Sequence, residues 1–364
     1  MAFESKKILF YVNESARTRQ LNHIPLLFPF WGAVAKAKNP FINIALKQHG
    51  FDKQYYDVTG DIGMADFVLL PYDYWDLQSH EPVLLQTLIA QAQANHKLIL
   101  IYTYGDIEKI ITVPNSYVLR TGQYRFRRQP NDILMPAYTE DLLQNYCAGK
   151  LRVRSKNPKP SVGFAGWADA SLGLLTKTFL KEVPLRLRSV YDARYGALRK
   201  GLWLRKKTIA ILEHSPLVDT HFVIRRSFSG HVHTVVGDVQ TIRQDFVDNL
   251  NAADYALCVK GDGNFSNRFY EALSLGRIPL LVDTECVLPL EDRIDYKKFC
   301  CFVDFKNIKN IAVLLSEFHR QVDTENFIAM QKRARSVFVE YLRTDVFTKY
   351  LMQTLRRIAD GFYK

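Results

Sequence analysis

The chain has 364 residues, of which 48% are apolar and 24% charged, and its formal net charge is +12. These proportions are typical of a globular protein and exclude disorder and low complexity. Because a chain of this length is longer than a single hydrophobic core usually supports, we expect two domains. Five cysteines without a CxxC spacing indicate neither a disulfide scaffold nor a zinc site.

Patterns typical of strands and helices alternate through the first half. Apolar runs at residues 6–12, 66–71 and 97–104 predict buried strands, and residues 81–94 carry apolar side chains at helical spacing. This alternation predicts a parallel sheet with helices on both faces. Residues 22–31, rich in proline and aromatics, are interpreted as a loop that lines a cleft.

Two acidic residues follow strands of this predicted sheet. Ligands of such sheets bind beyond the carboxyl ends of the strands, where Asp73 and Asp106 lie. Both are candidates for the general base of a transfer reaction. For each, the alternative is a loop carboxylate that caps a helix.

A passage rich in charge, glycine and proline, residues 147–160, predicts a linker. Beyond it, strand patterns at residues 161–167, 222–227, 255–259 and 278–282 again alternate with helical ones. We therefore place one domain at residues 1–150 and a second at 151–340, both of α/β class.

Most of the net positive charge lies in one short segment, because residues 177–207 hold ten Lys and Arg against Glu182 and Asp192. Such a segment attracts anionic lipid headgroups, phosphorylated substrates or nucleic acid, and the alternative is a solvated surface. The start of the chain lacks the order of a secretory signal, and no apolar run is long enough for a membrane span. We predict a cytoplasmic protein, free or peripheral to the inner face of a membrane.

Residues 254–286, DYALCVKGDGNFSNRFYEALSLGRIPLLVDTEC, predict a strand, a glycine turn, a helix and a second strand. Gly261 and Gly263 would let the backbone adopt positive φ and approach a ligand, and Ser266 or Asn267 would cap the helix. The free N–H groups and the dipole at such a helix start favour an anion. Gly276 would end the helix.

Arg268 and Glu271 are three residues apart and share one face of this helix. A guanidinium suits a diphosphate, and a carboxylate suits the hydroxyls of a ribose. These residues predict nucleotide binding.

Residues 261–289, GDGNFSNRFYEALSLGRIPLLVDTECVLP, closely resemble the signature of the exostosin-type glycosyltransferases, whose C-terminal half binds a nucleotide-sugar donor. The resemblance implies the GT-B fold, in which two Rossmann-like domains face each other across a cleft, with residues 341–364 as a helix crossing back to the first domain. It is carried by Gly261, Gly263, Asn264, Ser266, Arg268, Glu271, Gly276 and Pro279.

The resemblance extends to the strand at residues 161–167 and its turn, which implies that Gly166 approaches the donor. It also implies an arginine near Arg225 or Arg226, of which Arg226 lies nearer the strand end and is our choice. The family usually transfers from UDP-sugars, with inversion and without a metal-bound active site. We accordingly expect no cofactor, and Asp283-Thr284-Glu285 shaping the pocket wall rather than holding a cation.

The predicted function is therefore inverting transfer of a hexose or pentose from a nucleotide-sugar to a hydroxyl of a growing surface glycan, free or lipid-linked, by a bacterial or viral exostosin-like member. Peripheral membrane contact through the basic segments is also expected. Two alternatives remain: a transferase whose acceptor is nucleic acid, which we disfavour, and a non-catalytic partner subunit that binds donor or glycan. His231 and His233 are interpreted as a loop or strand face rather than metal ligands.

Overall fold

The computed structural model describes residues 6–18, 21–34, 39–169, 172–226 and 238–363. Its strands form two sheets in which every pair is parallel, and helices cover both faces of each. The helices are α1 (Phe28–Trp31), α2 (Pro40–Gln48), α3 (Tyr74–His80), α4 (Pro82–Ala94), α5 (Leu142–Cys147), α6 (Leu172–Tyr191), α7 (Gly201–Glu213), α8 (Val239–Asn251), α9 (Asn267–Ser274), α10 (Ile311–Gln321), α11 (Thr324–Val337) and α12 (Thr344–Phe362).

The first sheet has the strand order β2-β1-β3-β4-β5-β6. Its strands are β1 (Ile8–Tyr11), β2 (Tyr56–Thr59), β3 (Phe67–Leu69), β4 (Leu98–Thr103), β5 (Ser116–Arg120) and β6 (Asp132–Leu134). β4 reads LILIYT and is buried along its whole length, as a parallel strand covered on both faces must be. A separate apolar cluster packs on each face of this sheet.

The second sheet has the order β11-β10-β9-β7-β8. Its strands are β7 (Ser161–Trp167), β8 (Asp219–Arg225), β9 (Tyr255–Cys258), β10 (Ile278–Asp283) and β11 (Cys301–Asp304). In both sheets the chain order reverses beside the first strand of the unit, which creates a crevice at the carboxyl ends where ligands of such folds bind. The predicted fold class, two Rossmann-like α/β units, is confirmed.

Three short strands, β2, β5 and β6, were not predicted as strands. β5 reads SYVLR and ends in Arg120, whose buried side chain is paired with Asp132 of β6 at 2.9 Å. A buried ion pair between neighbouring strands interrupts the apolar run on which the prediction relied. The glycine stop is confirmed, because Gly276 follows α9 with φ +66°.

The last helix, α12, follows the second sheet in sequence but packs on the first. Phe347, Leu351 and Leu355 of α12 are buried in the apolar cluster that includes Phe10 of β1. Arg356 donates hydrogen bonds to Asp66 at 2.9 Å and 3.1 Å. Within the described ranges, no helix is long and apolar enough to cross a membrane.

Truncating Leu351 should test this packing. Leu351→Ala removes a side chain that is 1% exposed, so we expect the free energy of unfolding to fall by about 2–5 kcal/mol in urea titrations. Lys349→Ala, on the exposed side of the same helix, is the matched control and should change it by less than about 0.5 kcal/mol. An unchanged urea midpoint for Leu351→Ala would contradict the docking of α12.

Candidate functional site

A cavity of about 270 Å³ lies between the two units, at the carboxyl ends of β7 and β9. This position is the crevice of the second sheet. Residues of the first unit close it from the opposite side. Its lining includes Phe41, Asp106, Tyr138, Glu140, Gly166, Trp167, Arg205, Arg225, Arg243, Gly261, Ser266, Arg268 and Glu271.

Two partly buried arginines lie side by side in this cavity. Arg268 of α9 donates to the carbonyl of Ala165 at 2.8 Å, and its guanidinium lies 4.1 Å from the centre of the Phe164 ring. Arg205 of α7 donates to the carbonyls of Trp167 at 2.6 Å and Lys260 at 3.1 Å. Backbone carbonyls and an aromatic face thus hold both cations in place.

Neither guanidinium forms an ion pair with any residue that the structure describes, and the Nε atom of each is buried without a hydrogen-bond partner there. Burial, reinforced by the neighbouring Arg268, lowers the pKa of Arg205 to about 9. Burial also lowers the pKa of Arg268, although Glu271 opposes this. Paired positive charge without a carboxylate partner favours binding of an anion.

Gly166 is required by the approach of Arg268. Its φ is +150°, and a Cβ atom built there would lie 2.6 Å from Arg268 Nη2. The structure therefore places Gly166 on the cavity wall, where it makes room for the guanidinium.

The backbone conformation of the glycine turn between β9 and α9 differs from the one predicted from the sequence. Gly261 and Gly263 are not among the described glycines with positive φ. Gly263 instead allows a close approach, since a Cβ there would lie 2.7 Å from Asp106 Oδ1. Its N–H donates to that oxygen at 2.9 Å, and the N–H of Asn264 donates to Glu108.

Consequently, these two N–H groups are occupied by carboxylates of the first unit. Asn264 itself is buried and accepts a hydrogen bond from Thr284 at 2.6 Å, so it supports the turn and does not line the cavity. Ser266 is the N-cap of α9, and its hydroxyl makes no capping bond although it lines the cavity. The anion position favoured by this geometry is the start of α9 rather than the glycines.

Glu271 lines the cavity and also forms part of an ion-pair network with Arg243 and Glu140. Arg243 of α8 donates to Glu271 at 2.6 Å and to Glu140 at 2.7 Å, and all three side chains are largely buried. The carboxylates raise the pKa of Arg243 against the effect of burial, so the cation is retained. Glu271 is therefore held in one orientation towards the cavity.

Of the two candidate bases, only Asp106 reaches this cavity. Burial raises the pKa of Asp106, which the Gly263 N–H partly offsets. Asp73 caps α3, accepting from Trp75 N at 2.8 Å and from Tyr104 N at 2.9 Å. Asp73 lines a second cavity of about 300 Å³ together with His23.

Arg226 is placed elsewhere. Its side chain is 93% exposed and pairs with Asp169 at 3.3 Å, outside the cavity lining. Arg225, one residue earlier, lines the cavity. Because successive side chains of a strand alternate in direction, a shift of one residue decides which arginine faces the site.

No group of three or more potential metal ligands occurs among residues 6–18, 21–34, 39–169, 172–226 and 238–363. Asp283 accepts from the N–H of Cys286 at 3.0 Å, and Thr284 bonds Asn264, so this acidic segment supports the turn. His231 and His233 lie outside the described residues.

Arg205 and Arg243 were missed from the sequence. Arg205 is one of ten basic residues in a charged segment, and nothing in that composition separates a buried arginine from solvated ones. Arg243 lies on an amphipathic helix where the predicted apolar face was defined by Phe246 and Leu250. Its stem is buried on that same face.

The chain shows similarity to known proteins. Residues 212–318 match the Exostosin GT47 domain. A relative, Exostosin-1 of Drosophila melanogaster, is 27% identical over 99 residues, which are 27% of this chain and 12% of that protein. The chain also aligns with the crystal structure of a glycosyltransferase from Rickettsia africae ESF-5, covering 100% of both chains at 12% identity and a TM-score of 0.38. The exostosin-type resemblance predicted from residues 261–289 is confirmed.

A buried lysine beside the site provides a test of its electrostatics. Lys260 is 3% exposed, donates to the hydroxyl of Tyr124 at 2.7 Å, and burial lowers its pKa to about 8. Between this value and 10.5, its ordinary pKa, the unfolded chain binds the proton and the folded chain does not. The folded state therefore becomes more stable as the pH rises through this window.

We expect the free energy of unfolding of the wild type, relative to Lys260→Met, to rise by about 3 kcal/mol across that window. Urea titrations below, within and above it measure the difference. Lys332→Met, at an exposed position, is the control and should show no such trend. If the free energies of unfolding of the wild type and Lys260→Met differ by the same amount at every pH, the lowered pKa of the buried Lys260 is contradicted.

Proposed function

We propose that the chain, which carries an exostosin-type domain, is an inverting, metal-independent glycosyltransferase that moves a hexose or pentose from a nucleotide donor to a hydroxyl of a growing surface glycan. The observation that carries this proposal is the pair of partly buried guanidiniums, Arg205 of α7 and Arg268 of α9, in the cleft between two Rossmann-like units. A UDP-sugar is the donor we expect, and a lipid-linked glycan is one acceptor that we consider.

The donor diphosphate would bind between these two arginines. A phosphate oxygen accepts from guanidinium N–H groups and from N–H groups at a helix start, and the site offers both. Their charge takes up the negative charge that develops on the departing nucleotide diphosphate, which is the role a metal ion fills in other transferases. Glu271, held by Arg243 at 2.6 Å, would accept hydrogen bonds from the ribose hydroxyls.

Asp106 would act as the general base. In the proposed step the acceptor oxygen attacks the anomeric carbon while its proton passes to Asp106 and the bond from that carbon to the diphosphate breaks. One displacement inverts the anomeric centre. Burial raises the pKa of Asp106, which makes it a better proton acceptor than an exposed carboxylate.

The acceptor would enter from the first unit. Asp106 lines the main cavity and the next residue, Ile107, lines the second cavity with Asn22, His23, Tyr104 and Asp73. The two cavities are thus adjacent at Asp106, the proposed general base. We propose that the acceptor binds in the second cavity and that Asp73 keeps the wall of this cavity in place.

Donor binding can be tested by thermal shift with UDP, GDP, CMP and dTDP and their sugars, because a ligand that binds only the folded state stabilises it. We expect UDP and its sugars to raise the melting temperature most. If none of these nucleotides changes it, the assignment of the cleft fails. Nucleotide binding without transfer to any glycan would instead favour a non-catalytic subunit.

Replacing Arg205 separates binding from folding. Arg205→Met removes a partly buried cation that has no ion-pair partner in the part of the chain that the structure describes, so the unliganded protein should be as stable as the wild type or more stable. UDP affinity, measured by calorimetry, should fall about ten- to a hundredfold because charge-assisted hydrogen bonds are lost. Arg226→Met, at the exposed neighbouring strand end, is the matched control and should bind UDP normally. Full UDP affinity in Arg205→Met would exclude this residue from the donor site.

Replacing Asp106 tests the base. Asp106→Asn keeps an oxygen that accepts from Gly263 N–H, so UDP affinity should be retained while kcat falls about a hundredfold to ten-thousandfold. Asp73→Asn should affect kcat much less, because Asp73 holds α3 and lies outside the main cavity. The assignment is reversed if Asp73→Asn loses transfer and Asp106→Asn retains it.

A further inference from the structure

Five of the exposed large apolar side chains among the described residues lie on α6. Its exposed apolar side chains are Phe179, Leu180, Leu187, Val190 and Tyr191, which are between 44% and 95% exposed. Leu180, Leu187 and Tyr191 are spaced by seven and four residues and so form one stripe along the helix. A contiguous patch of this kind on a helix that also carries charge marks a contact surface.

Basic residues flank that stripe on one side. Lys177, Lys181 and Arg188 are exposed, and their spacing of four and seven residues places them on an adjacent line along α6. The opposite side of the helix packs against the rest of the second unit. There, Glu182 is buried, accepts from Lys200 N at 2.7 Å and pairs with Arg186 at 3.5 Å.

The position of α6 relates this surface to the cleft. The helix begins shortly after β7 and is followed by a 3-10 turn, Ala193–Leu198, and then by α7. At the start of α7, the N–H of Gly201 donates to the carbonyl of Gly261 in the glycine turn, at 2.9 Å. The segment therefore leaves and rejoins the second unit at the rim of the candidate donor site.

We propose that α6 lies in the plane of an anionic phospholipid surface, with Leu180, Leu187 and Tyr191 inserted among the acyl chains and Lys177, Lys181 and Arg188 bound to headgroup phosphates. An amphipathic helix with a basic flank and low overall hydrophobicity binds in this way. A nucleic acid fits this surface less well, because its phosphates would not stabilise the apolar side chains at the centre of the face. The basic flank disfavours a second copy of the same face, since like charges would meet.

This proposal goes beyond the transfer reaction and does not depend on it. Its consequence for the reaction is that the cleft rim lies beside the membrane, so an acceptor attached to a lipid would reach Asp106 without leaving the bilayer surface.

Vesicle flotation of the full chain tests the proposal without any nucleotide. The wild type should float with vesicles of phosphatidylcholine mixed with phosphatidylglycerol, and much less with phosphatidylcholine alone. Lys177→Gln, Lys181→Gln and Arg188→Gln combined should weaken binding on the order of a hundredfold, and Leu180→Ser with Leu187→Ser at least about tenfold. Unfolding curves like the wild type's would show that both variants fold.

The matched control combines Val83→Ser and Lys332→Gln, which are exposed on other helices and should leave flotation unchanged. The proposal is overturned if the wild type does not float, if it floats equally well with phosphatidylcholine alone, or if the α6 variants float like the wild type. It is also overturned if the wild type forms a lipid-free dimer that Leu180→Ser with Leu187→Ser abolishes. UDP affinity, measured without vesicles, should be normal in every one of these variants, so failure here is distinct from failure of the transferase assignment.

Discussion

Two partly buried cations side by side, with no ion-pair partner among the described residues, are the interaction on which the site depends. Water stabilises a guanidinium far better than carbonyl groups and a ring can, so Arg205 and Arg268 reduce the stability of the fold they occupy. Their surroundings serve to retain them. The Phe164 ring lies under both, backbone carbonyls bind them, and Gly166 leaves the space that Arg268 needs. An arriving diphosphate would recover the free energy that folding loses here.

The same cleft explains why one unit alone would not form the site. The guanidinium of Arg243 lies 4.5 Å from the centre of the Phe41 ring of α2, which packs with the first sheet, and it has two carboxylate partners, Glu271 of α9 and Glu140. Removing either partner would leave the buried cation incompletely paired. The orientation of Glu271, and with it the proposed ribose contact, is therefore set jointly by both units.

The sequence was informative where chemistry and chain periodicity coincide. Continuous apolar runs predicted β4, β7 and β10, because parallel strands are buried on both faces. Arg268 and Glu271 share one face of α9 and Ser266 is its N-cap, and the structure places all three on the cavity wall. The contacts of Arg205 and Arg243 were not predictable, because they form only when segments distant in the chain meet. The choice between Arg225 and Arg226 required the exact position of the strand, because an error of one residue exchanges the side chain that faces the cavity with the one that faces away.

The turn between β9 and α9 has its amides occupied by Asp106 and Glu108, which lie more than a hundred and fifty residues earlier in the chain. This limits how such proteins can exchange halves during evolution. A second unit recombined with a foreign first unit would bring the amides of Gly263 and Asn264 against a loop lacking the two carboxylates, and buried amides without acceptors cost free energy. New combinations of the two units would then persist only where this short loop is inherited together with the turn it caps.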